Sequence, residues 1–306
     1  MISSIALLFI GASLLYLGAD WLVKSGANIA RKYNVAPFVI GLTVIAFGTS
    51  LPEFVISLNA ALIGSSTIAI GNIIGSNIAN IGLVFGISAL IFPIAIHFNV
   101  IKRDLLLYLV ICAVFILFVL NGRIDRVEGL LLFFGLILYT WIRIRYSKRT
   151  NNDNSYSYMK IGLTIILLII GMFALYVGSR MFVSGAVNLS RQLGISEIVI
   201  GMTVVAIGTS LPELATSIVA AFKKESGISI GNIIGSNIFN ILSVIGIVSI
   251  IKPITSPPEI LKFEIPVMLL YGLILIPLGL IKQPVKRVNS LLLIIGYIIF
   301  IFVLYT

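Results

Sequence analysis

The sequence predicts an all-α membrane protein in which ten transmembrane helices form two inverted five-helix repeats. Three observations lead there. Apolar residues make up 59% of the 306 and charged residues only 10%, with a mean hydropathy of +1.15; a soluble domain carries about a quarter charged residues. Several apolar stretches, "TIILLIIGMFALYVG" and "SLLLIIGYIIFIFVLYT" among them, reach the roughly 20 residues that cross a bilayer. Finally, a shift of 160 residues lays the second half of the chain on the first without a gap.

In chain order, the apolar runs place helices at about 2–22, 36–62, 68–92, 104–121, 126–146, 159–182, 195–222, 228–251, 262–280 and 288–305. The first run, "MISSIALLFIGASLLYLGADWLV", has neither a basic start nor a small-residue cleavage site. It reads as a retained helix rather than a signal peptide. One polar stretch, "SKRTNNDNSYSY" at 147–158, divides the chain into a first repeat, 1–146, and a second, 159–306.

The repeat is strongest in two motifs. "IGLTVIAFGTSLPE" (40–53) falls on "IGMTVVAIGTSLPE" (200–213), and "IGNIIGSNIANI" (70–81) on "IGNIIGSNIFNI" (230–241). They lie within corresponding regions 40–82 and 200–242. More loosely, "GASLLYLGADWLVKSGANIARK" (11–32) matches "GMFALYVGSRMFVSGAVNLSRQ" (171–192). Five helices per repeat is an odd number, so the second copy enters the membrane from the opposite side, as in many secondary transporters. With the N-terminus outside, 15 of the 21 Lys and Arg residues fall in cytoplasmic loops and 6 in outer ones. The positive-inside rule therefore predicts a multi-pass cell-membrane protein with both termini outside and the linker in the cytoplasm.

Among the acids, Asp20, Asp104, Glu197 and Glu264 lie near helix ends, where interfacial solvation is the expectation. Glu53 and Glu213 instead lie mid-span. A charge at that depth costs about 2.5–3.5 kcal/mol on insertion scales and is retained for function. Pro52 and Pro212 have no N–H to donate, so the carbonyls of Gly48 and Gly208 lose their helical partners and the helices bend. Exposed carbonyls at membrane depth are tolerated where they line a site. Thr49 and Ser50 share a helical face with Glu53, and Thr209 and Ser210 share one with Glu213. Asn72, Ser76 and Asn80 form a polar stripe of period four, repeated by Asn232, Ser236 and Asn240. For Asn72, Asn77, Asn232 and Asn237, bonding between helices and ion ligation are equally good readings. The GxxxG pairs Gly71/Gly75 and Gly231/Gly235 read as packing residues.

An all-oxygen set suits hard cations; calcium takes six to eight such ligands. Cys112 is the only cysteine and His97 the only histidine, so no softer metal site is implied. His97 reads as an ordinary interfacial residue. No Walker motif suggests an ATP-driven pump, and nothing points to an enzyme, a cofactor or a protein partner. The net charge of +10 reflects loop topology rather than nucleic-acid binding.

On these motifs, "GTSLPE…GNIIGSN" at 48–77 and again at 208–237, the chain resembles the cation/calcium antiporter superfamily, most closely prokaryotic sodium/calcium exchangers. The resemblance implies a sodium/calcium antiporter working by alternating access, with Na+ and Ca2+ as transported ions and the first and sixth helices sliding across the rest. It implies ion ligands at Glu53 and Glu213, the hydroxyls of Ser50, Ser210, Ser76 and Ser236, and the amides of Asn80 and Asn240. Backbone carbonyls would come from Ala46, Thr49, Ala206 and Thr209, whereas the proline argument points first to Gly48 and Gly208. Some prokaryotic members carry Asp where this chain has Asn240, and its absence argues against potassium co-transport. Calcium/proton exchange is the alternative, since that branch has a different, acid-containing pattern in place of "GSNIxN". A cation channel is a third reading, separable by its lack of need for a counter-ion.

Overall fold

The computed structural model describes residues 2–94, 96, 98–147, 159–195, 206–280 and 284–304. Outside the described residues lie His97, Glu197, Lys282, most of the expected linker including Lys148 and Arg149, and positions 196–205 of the expected seventh helix. The side chain of Ala206 also lies outside them.

The helices are α1 (Ile2–Lys32), α2 (Pro37–Thr49), α3 (Leu51–Leu62), α4 (Ser66–Ile91), α5 (Phe98–Leu120), α6 (Arg126–Arg145), α7 (Ile161–Gln192), α8 (Leu211–Phe222), α9 (Ser226–Ile251), α10 (Glu264–Leu280) and α11 (Arg287–Leu304). Two-residue strands, β1 (Arg123–Ile124) and β2 (Ile254–Thr255), pair antiparallel. Among the described residues eight helices are long and apolar enough to cross a membrane, α10 counted with the preceding turn from Pro258. A ninth span is α2 with α3, bent by 43°. The predicted helix at 195–222 is represented by a turn, Ala206–Gly208, and by α8.

Two helices run on past the ends that the apolar pattern predicts. α1 runs ten residues past the predicted end at 22, and α7 runs on to Gln192. Hydropathy fades there because polar side chains, not lipid-facing ones, hold the extensions. Asp20 accepts from Lys24 at 2.7 Å and Lys223 at 2.5 Å, and Arg31 pairs with Glu225. Asn28 donates to Thr164 Oγ1 at 2.7 Å and accepts from the Met159 backbone N–H at 3.1 Å. Asp20 is therefore buried and paired, not solvated at an interface as expected from its position.

The chain packs as two compact units, Met1–Thr49 with Lys148–Asn232, and Ser50–Ser147 with Ile233–Thr306. The first contains α1, α2, α7, α8 and the start of α9. Its core gathers Leu15, Leu22, Val23, Ile40, Ile45, Leu175, Val219 and Ile228. α1 and α7 meet backbone to backbone. A Cβ on Gly11 would sit 2.8 Å from the Gly178 carbonyl, and one on Gly18 2.8 Å from that of Gly171. Cβ atoms on the opposite glycines would reach back equally, Gly178 to Gly11 O at 3.0 Å and Gly171 to Gly18 O at 2.9 Å. As α1 advances one heptad α7 retreats one, so the pair is antiparallel. Gln192 reaches Ser4 Oγ at 3.4 Å at one end of this pair. Gly231, from the second GxxxG pair, packs on the backbone of Phe38 and Leu42.

The second unit contains α3–α6, the rest of α9, α10 and α11. α3 and α4 form a hairpin, α5 packs on α10, α6 on α9, and α11 on α4. Its loops are tied in pairs. β1 bonds β2, Ser256 N–H donates to Gly122 O at 2.9 Å, and Val285 N–H donates to Ile94 O at 3.0 Å. Asp104, also expected at a solvated interface, is instead buried: Arg143 Nε lies 2.8 Å from Oδ1, an ion contact rather than an aligned hydrogen bond. Tyr139 donates to the same oxygen at 3.1 Å. The correction has a physical reason. The start of α5 extends to Phe98, six residues before the predicted one, which places Asp104 inside the span where only a partnered charge is tolerable.

Candidate ion-binding site

The two proline motifs adopt the same local structure. Ser50 (φ −80°, ψ 3°) and Ser210 (φ −84°, ψ 4°) step out of helical geometry, and Pro52 and Pro212 then occupy the first turns of α3 and α8. Proline suits that position because its missing N–H has no intrahelical partner there in any case. Glu53 and Glu213 follow in the same first turns, where the helix dipole favours a carboxylate. Both are buried, at 1% and 0% exposure.

The second motif is also built alike. Asn72 donates to Ser57 Oγ at 3.0 Å, and Asn232 to Ser217 Oγ at 3.2 Å. Asn72 also reaches the Glu53 carbonyl at 3.3 Å, and Asn232 accepts from Thr49 Oγ1 at 3.0 Å. These two amides thus fasten helix to helix, the bonding that the first of their two sequence readings expects. At Asn80 and Asn240 the helices widen into π-helical turns, Asn80–Phe85 and Asn240–Ile245. Such turns turn up often at functional sites, and nothing in the apolar periodicity announces them.

Within the second unit the structure brings predicted site residues together in two places. Ser76 donates to Glu53 Oε1 in a long contact of 3.4 Å. Asn80 donates to Asn237 Oδ1, and Asn240 to Asn77 Oδ1, each at 3.0 Å. Asn77 and Asn237 in turn donate to each other's backbone carbonyls at 3.3 and 3.2 Å. In the first unit, Thr49 hydroxyl also contacts Ala46 O at 3.3 Å. Ala46, Thr49, Ser210 and Ser236 are buried, and Thr209 is half-buried. The Gly208 carbonyl, freed by Pro212, accepts a 2.7 Å bond from Ser179. The carbonyl that the proline frees is thus given a hydroxyl donor in place of its helical N–H.

Four of the predicted ligand oxygens share one property. Ser50 Oγ, Ser210 Oγ, Asn80 Oδ1 and Asn240 Oδ1 are buried and meet no hydrogen-bond partner among the described residues. Leaving a buried polar atom unsatisfied costs about 1–3 kcal/mol. All four can offer a lone pair, so a hard cation fits them as a substrate. No group of three or more His, Cys, Asp or Glu residues that could hold a metal occurs among the described residues.

Comparison with known proteins agrees. The family model described as sodium/calcium exchanger protein matches residues 3–145 and 163–306. The chain is similar to sodium/calcium exchanger MaX1 of Methanosarcina acetivorans, 33% identical over 98% of this chain and 97% of the relative. It is 35% identical to inner membrane protein YrbG of Escherichia coli, over 100% of this chain and 98% of the relative. A structure of the sodium-calcium exchanger NCX_Mj, soaked with sodium and calcium, superposes with a TM-score of 0.85 at 35% identity, covering 100% of both chains. By matches that run through both halves, the chain belongs to the sodium/calcium exchanger family of membrane proteins.

Proposed function

We propose that this protein exchanges sodium for calcium across the cell membrane by alternating access, and that the exchange is electrogenic. The observation that carries the reading is the doubled bend. In a family of exchangers, both halves set a buried glutamate one turn beyond a buried serine whose hydroxyl meets no hydrogen-bond partner among the described residues. The ion ligands are Glu53, Glu213, Asn80 and Asn240, the hydroxyls of Ser50, Ser210, Ser76 and Ser236, and the carbonyls of Ala46, Thr49, Ala206 and Thr209. Glu53 and Glu213 supply a charge of −2. One calcium neutralises it, and three sodium ions leave +1, so a complete cycle moves one net charge.

The ten-helix inverted architecture is part of the proposal, with repeats 1–146 and 159–306 joined by the cytoplasmic linker 147–158. It is supported by the antiparallel pairing of α1 with α7, which occupy equivalent places in the two repeats. The loop pairings support it as well. β1 and β2 belong to two predicted outer loops, Ile94 and Val285 to two predicted cytoplasmic ones, and Arg31 and Glu225 to two more. Which side is outside rests on the Lys and Arg count alone, which favours both termini outside. NCX_Mj, whose structures concern extracellular ion exchange and binding-site occlusion, supports alternating access by analogy.

The test is calcium uptake by proteoliposomes loaded with sodium. Uptake that requires the outward sodium gradient is expected. Uptake driven by a pH gradient without sodium would establish calcium/proton exchange instead, and uptake needing no counter-ion would establish a channel.

A further inference from the structure

We infer that Asn77 and Asn237 are positioning residues, which determine that Asn80 and Asn240 meet the transported ions with oxygen rather than with NH2. The inference rests on the cation site proposed above. An amide side chain has an acceptor at one end and two donors at the other. Turned one way it binds a cation, and turned the other way it repels one.

The direction follows from the backbone. A peptide carbonyl can only accept, so the ends of Asn77 and Asn237 that face each other's carbonyls must be Nδ2. Their Oδ1 atoms are then fixed at the opposite ends. Those oxygens can only accept, so the ends of Asn80 and Asn240 that face them must be Nδ2 in turn. Oδ1 of Asn80 and of Asn240 is what remains, and within this ring of four amides these two oxygens are buried and meet no donor among the described residues. Reversing either ligand amide would set its oxygen against the Oδ1 of its orienting residue, an acceptor facing an acceptor, and would turn NH2 toward the ion. All four residues are at most 1% exposed, so water offers no substitute partner.

The arrangement is crossed. Asn80 is oriented by Asn237, and Asn240 by Asn77, so each repeat sets the ligand of the other. This separates positioning from general packing. A carboxylate has an oxygen at both ends and needs no orientation. Substituting Asp at a ligand position should therefore relieve the loss of its own orienting residue and of no other.

The experiment measures sodium-dependent calcium uptake in proteoliposomes, with KM and maximal rate separated, alongside thermal unfolding of each purified variant. Asn77→Ala and Asn237→Ala should each raise the calcium KM about tenfold, the scale of one charge-assisted contact, with maximal rate changed less than about twofold. In an Asn240→Asp background, Asn77→Ala should add less than about twofold. In an Asn80→Asp background it should keep its full effect, and Asn237→Ala should show the mirror pattern. Equal effects in both backgrounds would overturn the inference, as would an unchanged KM. If both alanine variants fail to fold and the crossed Asp does not restore them, the ring is a packing element and the inference falls. A wild-type protein that takes up no calcium would instead bring down the parent reading, and this inference with it.

Discussion

Replacing Glu53 or Glu213 by Gln keeps the side-chain volume and removes one negative charge. The electrostatic size of that change can be bounded. A carboxylate whose charge lies about 3 Å from a divalent ion attracts it by roughly 11 kcal/mol at an effective dielectric constant near 20. Most of this is offset by stripping water from both partners. If a quarter survives, about 3 kcal/mol, calcium affinity falls about 100-fold. Sodium, with half the charge, loses about half as much free energy and so only about tenfold. Both side chains sit in the first turn of a helix and are essentially fully buried. Gln can still accept from Ser76 at position 53, so the fold should survive. The assay is calcium uptake by sodium-loaded proteoliposomes, with calcium and sodium affinities measured in parallel. We expect calcium exchange to be abolished in each variant at low micromolar calcium, with calcium weakened more than sodium. Near-normal uptake in both variants would refute the assignment, and equal weakening of the two ions would refute the charge argument behind it.

Other expectations are independent of that one. An imposed membrane potential should accelerate exchange in one direction and slow it in the other, because each charge crossing 100 mV is worth about 2.3 kcal/mol; sodium-driven uptake indifferent to voltage would point to a two-sodium cycle. Acid should inhibit by protonating Glu53 and Glu213 but not drive uptake, since Asn80 and Asn240 take up no proton. Asp104→Asn should lower stability by about 3 kcal/mol by stranding Arg143, whereas Asp104→Leu combined with Arg143→Met and Tyr139→Phe, which removes every polar member of the cluster, should be nearly neutral; thermal unfolding in detergent reads both. Gly11→Ala should destabilise by about 2 kcal/mol, because its Cβ would lie 2.6 Å from the Phe182 backbone nitrogen. Gly135→Ala, whose nearest neighbour is 3.7 Å away, should be tolerated.

Much of the site was legible because it is written twice. Glu53 and Glu213 stand out as acids inside apolar runs, and Pro52 and Pro212 announce a bend that the structure places at Ser50 and Ser210. What could not be read depends on partners distant in sequence. Asp104 looks like an end-of-helix acid until Arg143 and Tyr139 are seen around it. Ser179 gives no sign in its own segment that it caps the Gly208 carbonyl, and the first repeat has Ala19 at the matching position. Asn77 and Asn80 look alike as letters in "GSNIAN"; only the structure shows that Asn77 bonds the Asn237 carbonyl while Asn80 bonds the Asn237 side chain. Helix ends failed where polar contacts, rather than lipid, meet the last turns: Arg31 pairs with Glu225 at the end of α1, and Gln192 donates to Ser4 at the end of α7.

The glycine seam between α1 and α7 has a consequence for ancestry. Gly11 meets Gly178 and Gly18 meets Gly171, and a shift of one repeat exchanges the two contacts. The seam reads the same from either side, as the isologous face of a two-fold dimer does. It would form equally well between two separate copies of a single five-helix chain inserted in opposite orientations. Fusion through a linker therefore adds no new contact surface here; it keeps together two halves that already fit. Along this line the halves cannot diverge independently, because a methyl group gained by one backbone must be accommodated by the other.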